Sequence, residues 1–267
     1  MGMIRNDADF QVPEAGLCGM RPTDSHEYSQ LNELKIDIDF LRENQHINDL
    51  GAIAMTEQMP IFGGFLPTVE AAAVSDVATT LAAFGMFGTS WHLDGPIHVR
   101  WGITTARETC QVAGFCNAAI DRNTELLTGN QYYTLAGPCT EMTLLETAAQ
   151  ALTDCASGRE IVSGVASAKG VATDKTTGME ARVMGETCMA GCRLNVPKSN
   201  DVLNAIFAKY EHNYKEAAMY GSKFSGKKFA EGCYDPVKIL PSKEYLETYA
   251  KAMKTLEGCG LPLKGIY

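Results

Sequence analysis

Apolar positions follow two rhythms along this chain. Leu31, Leu34, Ile36, Ile38 and Leu41 recur at helical spacing, which predicts a helix over Leu31–Arg42. Leu50–Met55 is a short apolar run that empties into Glu57–Gln58, then Pro60 and two glycines. That is the pattern of a buried parallel strand running into a loop. Helical spacing returns over Thr68–Met86, and Ile97–Trp101 reads as the next strand. Arg107–Leu127 is predicted helical, with Gly129 as its stop signal. Gln131–Ala136 is strand-like, and after Gly137–Pro138 a helix is predicted through Thr140–Thr153. Glu160–Ser167 is a further strand, with Gly170 and Gly178 in the loop beyond it. Met179–Cys192, Asp201–Met219 and Lys243–Leu256 complete the helices, and Gly221–Asp235 is rich in loop residues.

Strands alternating with helices imply βαβ units and a parallel sheet. The pattern holds about four to five such units, which suits a doubly wound sheet or part of an eight-stranded barrel. Finding only about half of a barrel's strands favours the partial barrel.

Composition narrows the picture. With 45% hydrophobic residues in 267, the chain has ample material for a core. A formal charge of −9 argues against binding nucleic acid, which calls for a basic face. Nine cysteines at irregular spacing, with no apolar segment in charged Met1–Gln11, point to reduced thiols and a cytoplasmic setting. No uninterrupted apolar run approaches the ~18 residues of a membrane span. Ala71–Met86 comes nearest, but Ser75, Asp76 and two threonines interrupt it, so it reads as a buried helix.

In parallel α/β folds ligand sites gather at the C-terminal ends of strands. Glu57 and Gln58 follow one strand, and Asp24, His26 and Glu27 follow a possible short strand near Leu17–Met20. His92, Asp94, His98 and Arg100 crowd Ser90–Trp101, and Gln131, Tyr132 and Tyr133 open the next strand. Each has a structural alternative. Glu27 suits the first turn of a helix starting near Tyr28. Glu57 suits an ion pair, His92 and His98 suit the core, and Trp91, Trp101, Tyr132 and Tyr133 suit packing. Cys188 and Cys192 lie four apart and share a helix face, but two thiolates fall short of the four ligands of a zinc site. No GxSxG elbow or glycine-rich phosphate loop is present. The residues alone describe an α/β protein with a carboxylate-rich strand-end site and do not name a reaction.

Longer strings do. Asp24–Asp37 (DSHEYSQLNELKID), Glu57–Gly64 (EQMPIFGG), Ser90–Gly102 (SWHLDGPIHVRWG), Gly129–Met142 (GNQYYTLAGPCTEM) and Ala156–Arg182 resemble the monomethylamine methyltransferases of methanogens. The resemblance runs from about Thr23 to the C-terminus, with residues 1–22 as a poorly matching leader. It implies the C-terminal half of a TIM (β/α)₈ barrel. The implied activity is transfer of a methyl group from monomethylamine to the cobalt of a corrinoid carried by a cognate partner protein, in methanogenesis. No cofactor or metal bound directly by this chain is implied. The full-length enzyme is expected to be a homo-oligomer, without nucleic acid or membrane. The family's catalytic pyrrolysine would fall immediately upstream of Met1. This chain is then expected to be a split-gene product or a half-length relative that lacks the reactive imine, folds poorly alone and is inactive by itself. Matched residue by residue, the resemblance places Glu27, Glu57 and Gln131 around the pyrrolysine ring. The carboxylates would hold the alkylammonium and move its proton, and Gln131 would orient it. The alternatives are a non-catalytic half-barrel subunit and a zinc-dependent corrinoid methyltransferase using the cysteines.

Overall fold

The computed structural model describes residues 21, 23–30 and 35–266. The expected strand near Leu17–Met20, the leader apart from Arg21, and the first turn of the Leu31–Arg42 helix lie outside them. Five strands form one sheet: β1 Ser25–Ser29, β2 Ile53–Gln58, β3 Trp91–Asp94, β4 Thr128–Tyr133 and β5 Ile161–Ala166. They are hydrogen-bonded in sequence order, and every neighbouring pair is parallel. Helices α1 Ile38–Asp49, α2 Val69–Phe87, α3 Arg107–Asn123 and α4 Glu141–Ser157 cross from each strand to the next. Sequential parallel strands with a helix in every crossover give the winding of half a barrel. Helices α5 Gly178–Gly191, α6 Val196–Tyr210 and α7 Lys243–Gly258 follow β5.

The expected third strand needs correction. Only Ile97–His98 of Ile97–Trp101 is extended, and it pairs with Ile61–Phe62 in a separate two-stranded ladder. The sheet takes Trp91–Asp94 instead, a segment whose polar His92 and Asp94 hide it from an apolar-run criterion. Gly129 does not end α3; it lies within β4, and Gln131 sits inside that strand rather than opening it. The helix expected from Asp201 begins at Val196 and runs to Tyr210, followed by a 3-10 turn at Glu211–Asn213 and a short α-helical turn at Tyr214–Ala217. In α1 the spacing pointed to the wrong face. Ile36, Ile38 and Leu41 are exposed, whereas Phe40 and Ile47 are buried. Phe40 packs 5.2 Å from the Tyr28 ring and 4.7 Å from Phe87.

Local chemistry sets the helix ends. Side chains of Asp37, Thr68, Thr140, Asn195 and Ser242 cap α1, α2, α4, α6 and α7. Thr177 and Glu180 form a capping box on α5. Left-handed Gly88 and Gly158 end α2 and α4. The largest core lies among the helices. Every residue of α4 from Met142 to Asp154 is buried, and Leu144, Leu152, Val183, Ile206, Tyr245 and Leu256 share that core. α2 is long and apolar enough by length and composition to cross a membrane. Its Ala72, Ser75, Asp76, Thr79 and Ala83 are nonetheless buried within this fold.

Between sheet and helices the packing is polar. Asp94 receives the Arg159 guanidinium and, at 3.3 Å, the Thr80 hydroxyl; His92 Nε2 lies 3.1 Å away, and Thr56 Oγ1 meets His92 Nδ1 at 2.7 Å. Asp154 accepts from Tyr132 Oη at 2.7 Å, Asn130 Nδ2 at 2.9 Å and Asn117 Nδ2 at 3.3 Å. Burial pushes Asp94 upward, but the charge of Arg159 and the contact with His92 outweigh it and hold the carboxyl at about 2. Burial, reinforced by the charge of Asp94, drives Asp76 well above the ordinary carboxyl range, which favours its neutral form. Arg159 is thus the cation that allows these carboxyls to share one interior. Replacing Arg159 by Met leaves Asp94 buried without its countercharge, so urea unfolding is expected to report a loss of about 3–5 kcal/mol. Asp76→Asn, which replaces one neutral group by another, is expected to stay within about 1 kcal/mol of the parent. Equal losses in the two variants would show that the ion pair is not what holds the layer.

Candidate functional site

Side chains in register across a parallel sheet share a face, and successive residues alternate. Ser29, Glu57, Leu93, Gly129 and Ile161 form one such row, and Glu27, Met55 and Trp91 form the row two residues before it. Gln131 and Tyr133 follow Gly129 by two and four residues and keep its parity. Tyr28, Thr56, Gln58, His92, Asp94, Asn130 and Tyr132 take the other face. Several of them bond helix residues: Tyr28 with Asn44, Gln58 with Thr79, Asp94 with Thr80, and both Asn130 and Tyr132 with Asp154. The face turned away from the helices therefore carries Glu27, Glu57, Gln131 and Tyr133.

These four meet. Glu27 is hydrogen-bonded to Glu57, Ser29 Oγ donates to Glu57 Oε2 at 3.4 Å, and Gln131 is hydrogen-bonded to Tyr133. Ser163 Oγ reaches Gln131 Oε1 at 3.5 Å, and Gln150 Nε2 holds the Gln131 carbonyl at 3.2 Å. The charges of Glu57 and Glu27 are both felt at the Tyr133 phenol. Glycines make the room. A Cβ on Gly129 would stand 2.7 Å from Leu93 Cδ2, and one on Gly170, at φ +67°, would stand 2.4 Å from the Tyr133 ring.

The three residues expected at the site are thus brought to one face. Glu27 is no helix-start acid: it lies in β1, two residues before the strand ends. Tyr133, read from sequence as a packing residue, joins the site, while Tyr132 points the other way to Asp154. Strand parity carried the signal for this split, since Tyr133 is two residues from Gln131. His92 and Asp94 belong to the helix side and are absent from the site. Asp24, expected as a strand-end group, pairs with Arg21 at 3.0 Å instead.

Burial raises the pKa of Glu27 above the ordinary carboxyl range, and its hydrogen bond with Glu57 offsets part of that rise. Burial also raises the Tyr133 phenol, with the charge of Glu57 adding to it. Two close carboxyls, one of them raised by burial, form a pair that can share a proton. Among the described residues Glu27 Oε1 is buried with no hydrogen-bond donor. A cation bearing N–H groups supplies what that oxygen lacks.

Metal chemistry has less to stand on. Asp76, Asp94 and Cys116 bring ligand atoms within 4.8 Å of one another, all buried. Arg159 already supplies the positive charge there. The thiols associate two by two, Cys139 with Cys233 and Cys155 with Cys192, short of the ligand count of a zinc centre.

Comparison with known proteins places this geometry. The sequence model of the family described as monomethylamine methyltransferase MtmB matches residues 7–261. The chain is 54% identical over 243 residues to monomethylamine methyltransferase MtmB of Methanosarcina mazei and to MtmB2 of Methanosarcina acetivorans, covering 91% of this chain and 52% of each relative. It matches the crystal structure of the Methanosarcina barkeri monomethylamine methyltransferase with a TM-score of 0.86 at 52% identity, over 91% of this chain and 51% of that one. A crystal structure of the hydroxylamine MtmB complex matches with the same figures. The chain spans about half the length of the curated relatives it matches.

The raised pKa of Glu27 has a signed consequence. A carboxyl whose folded pKa exceeds its unfolded value, here 4.5, contributes stability that is full below that value and is lost as pH rises through the folded one. Urea unfolding midpoints between about pH 4 and 8 are expected to fall more steeply for the parent than for Glu27→Gln, which cannot titrate. Parallel profiles would mean that Glu27 ionises as though it were exposed.

Proposed function

The chain belongs to the monomethylamine methyltransferase family, and from that premise we propose that it forms the acid–base half of a methylamine:corrinoid protein methyltransferase. The observation that carries the reading is the buried Glu27–Glu57 pair, which shares one sheet face with Gln131 and Tyr133. We take the five parallel strands as part of a TIM barrel, with the remaining strands contributed by a complementary segment.

Monomethylamine resembles a lysine head group, with a pKa near ~10.4, and arrives as the ammonium. Its cation answers the charge of the carboxyl pair, and its N–H groups answer the orphaned Oε1 of Glu27. The pair binds the cation, accepts a proton from it to free the nitrogen lone pair, and can return that proton to departing ammonia. Gln131, fixed through Ser163, Gln150 and Tyr133, orients the nitrogen without adding charge. The apolar side chains of Met55 and Leu93, fully buried on the same face, keep water from competing for the carboxyls. Groups outside this chain supply the electrophile that fixes the amine and the partner's cobalt that takes the methyl group.

Two measurements test the reading. The chain alone is expected to give no methylation of a corrinoid protein from monomethylamine. With the complementary half and its pyrrolysine present, Glu57→Gln is expected to slow methyl transfer at least about a hundredfold, the ordinary weight of a positioned acid–base group. Circular dichroism and the urea midpoint should stay near the parent values. Turnover by the chain alone would overturn the reading of a half-enzyme, and an unaffected rate in Glu57→Gln would remove the carboxyl pair from the reaction.

A further inference from the structure

The segment 222–233, which precedes α7, lies against the loop that leaves β4. Gly137 N donates to Phe224 O at 2.9 Å, and Lys227 N donates to Pro138 O at 3.0 Å. Lys175 Nζ donates to Ser225 O at 2.6 Å and to Gly226 O at 2.7 Å. The backbones touch through glycines: a Cβ on Gly137 would stand 2.2 Å from Ser225 O, and one on Gly226 would stand 2.3 Å from Pro138 O. Where these two segments meet, Cys139 Sγ lies 3.1 Å from Cys233 Sγ. Both are free cysteines. Cys139 holds φ +63°, an uncommon backbone conformation for a residue with a Cβ. The local fold therefore tolerates strain while keeping this thiol opposite its partner.

Cys233 is fully buried, but Cys139 opens onto a cleft of about 490 Å³. Lys209, Lys223 and Lys251 line the cleft; Lys223 pairs with Glu216 and Lys251 with Glu141. Lys209 forms no ion pair among the described residues. A small anionic reagent therefore finds a cationic approach to Cys139. A second thiol pair, Cys155 with the exposed Cys192 at 3.4 Å, competes for the same reagent. The first pair also shares its proton. The Cys139 S–H hydrogen bond lowers Cys233, and burial and the charges of Glu180, Lys175 and Lys227 act on it more weakly.

We propose that Cys139 and Cys233 form a reversible thiol–disulfide site that exchanges with small anionic disulfides and, when closed, locks the segment 222–233 onto the loop after β4. In the first step Cys139 passes its S–H proton across the hydrogen bond to Cys233, and the Cys139 sulfur so freed attacks one sulfur of R–S–S–R. The old S–S bond breaks, and R–S⁻ leaves and takes up a proton. In the second step the Cys233 thiolate attacks Cys139 Sγ in the mixed disulfide and expels the second R–S⁻, which is protonated in turn. The protein loses two hydrogens and two electrons, and the disulfide gains them as two R–SH. A dithiol reductant reverses both steps. The proposal does not depend on methyl transfer, because its readout is the state of the thiols.

The test treats the purified chain with oxidised glutathione, blocks remaining thiols with N-ethylmaleimide, and maps linkages by peptide mass spectrometry. The expected result is loss of two of the nine thiols, a single Cys139–Cys233 cross-link that dithiothreitol removes, and slower tryptic cleavage after Lys227 and Lys228. Cys192→Ser should keep the cross-link. Cys139→Ala, with an unchanged circular dichroism spectrum, should lose both the cross-link and the protection. Three results would overturn the proposal: glutathione adducts that persist on single cysteines, a Cys155–Cys192 bond that forms first, or nine thiols that stay free. If Cys139→Ala does not fold, the linkage map of the parent chain still decides.

Discussion

Everything in this half-barrel is arranged around one buried guanidinium. Arg159 sits just before β5 and reaches Asp94 on β3. Its charge also reaches Asp154 and offsets part of what burial does to Asp76. A carboxylate buried without a countercharge costs several kcal/mol, and this layer holds three carboxyls between sheet and helices. Arg159 resolves that conflict in graded fashion. It keeps Asp94 ionised and partly counters burial at Asp154, while at Asp76 burial and the charge of Asp94 outweigh it and favour the neutral form. The geometry that follows is specific, because α2, α3 and β4 contribute hydrogen bonds to Asp94 on β3 or to Asp154 on α4. An apolar layer would tolerate small slips in register; this one would leave polar groups unpaired.

Register matters because the opposite face carries Glu27, Glu57, Gln131 and Tyr133, the residues of the proposed site. Glu57 and Gln58 are neighbours, yet Glu57 meets Glu27 while Gln58 accepts from Thr79 on α2. Tyr132 and Tyr133 divide in the same way, one bonded to Asp154 and the other to Gln131. A slip of one residue would exchange site for scaffold along the whole strand. The polar layer against the helices therefore does more than fill space, since it fixes which carboxyls look inward. Glu146 continues the same logic at the end of β4. It takes the backbone N–H groups of Leu135 and Ala136 and the Thr105 hydroxyl, and burial raises its carboxyl to about 7. The turn that carries the chain from Tyr133 toward α4 is held by that side chain.

The sequence made some of this legible and hid the rest for identifiable reasons. The helices over Thr68–Met86, Thr140–Thr153 and Lys243–Leu256 were plain because their caps and apolar spacing agree. The strand at Trp91–Asp94 was hidden because the layer it packs against is itself polar, so its outward residues are His92 and Asp94 rather than valines. Ile97–Trp101 looked more like a strand on composition alone. Gly129 looked like a helix stop, but its role is to clear space for Leu93 on the inner face. Glu27 looked like a first-turn acid because the residues that place it in β1 are its partners in β2, and no local pattern records those. Glu27, Glu57 and Gln131 came together in the sequence through family resemblance, whereas periodicity gave only the suggestion of strand-end carboxyls.

The protonation of the carboxyl pair connects the fold to its chemistry. Burial raises Glu27 and its bond to Glu57 offsets part of that rise; under the proposed reading, a pair that shares one proton carries the single charge that answers one alkylammonium. Two fully ionised carboxylates would hold the cation more tightly and would resist giving its proton back. A lone neutral acid would neither attract the ammonium nor remove its proton. The intermediate state exists only while both side chains stay buried and adjacent, and β1 and β2 keep them so through parallel register. Because that register is itself fixed by the polar layer on the far side of the sheet, the proton inventory of the site is set by residues that never touch it.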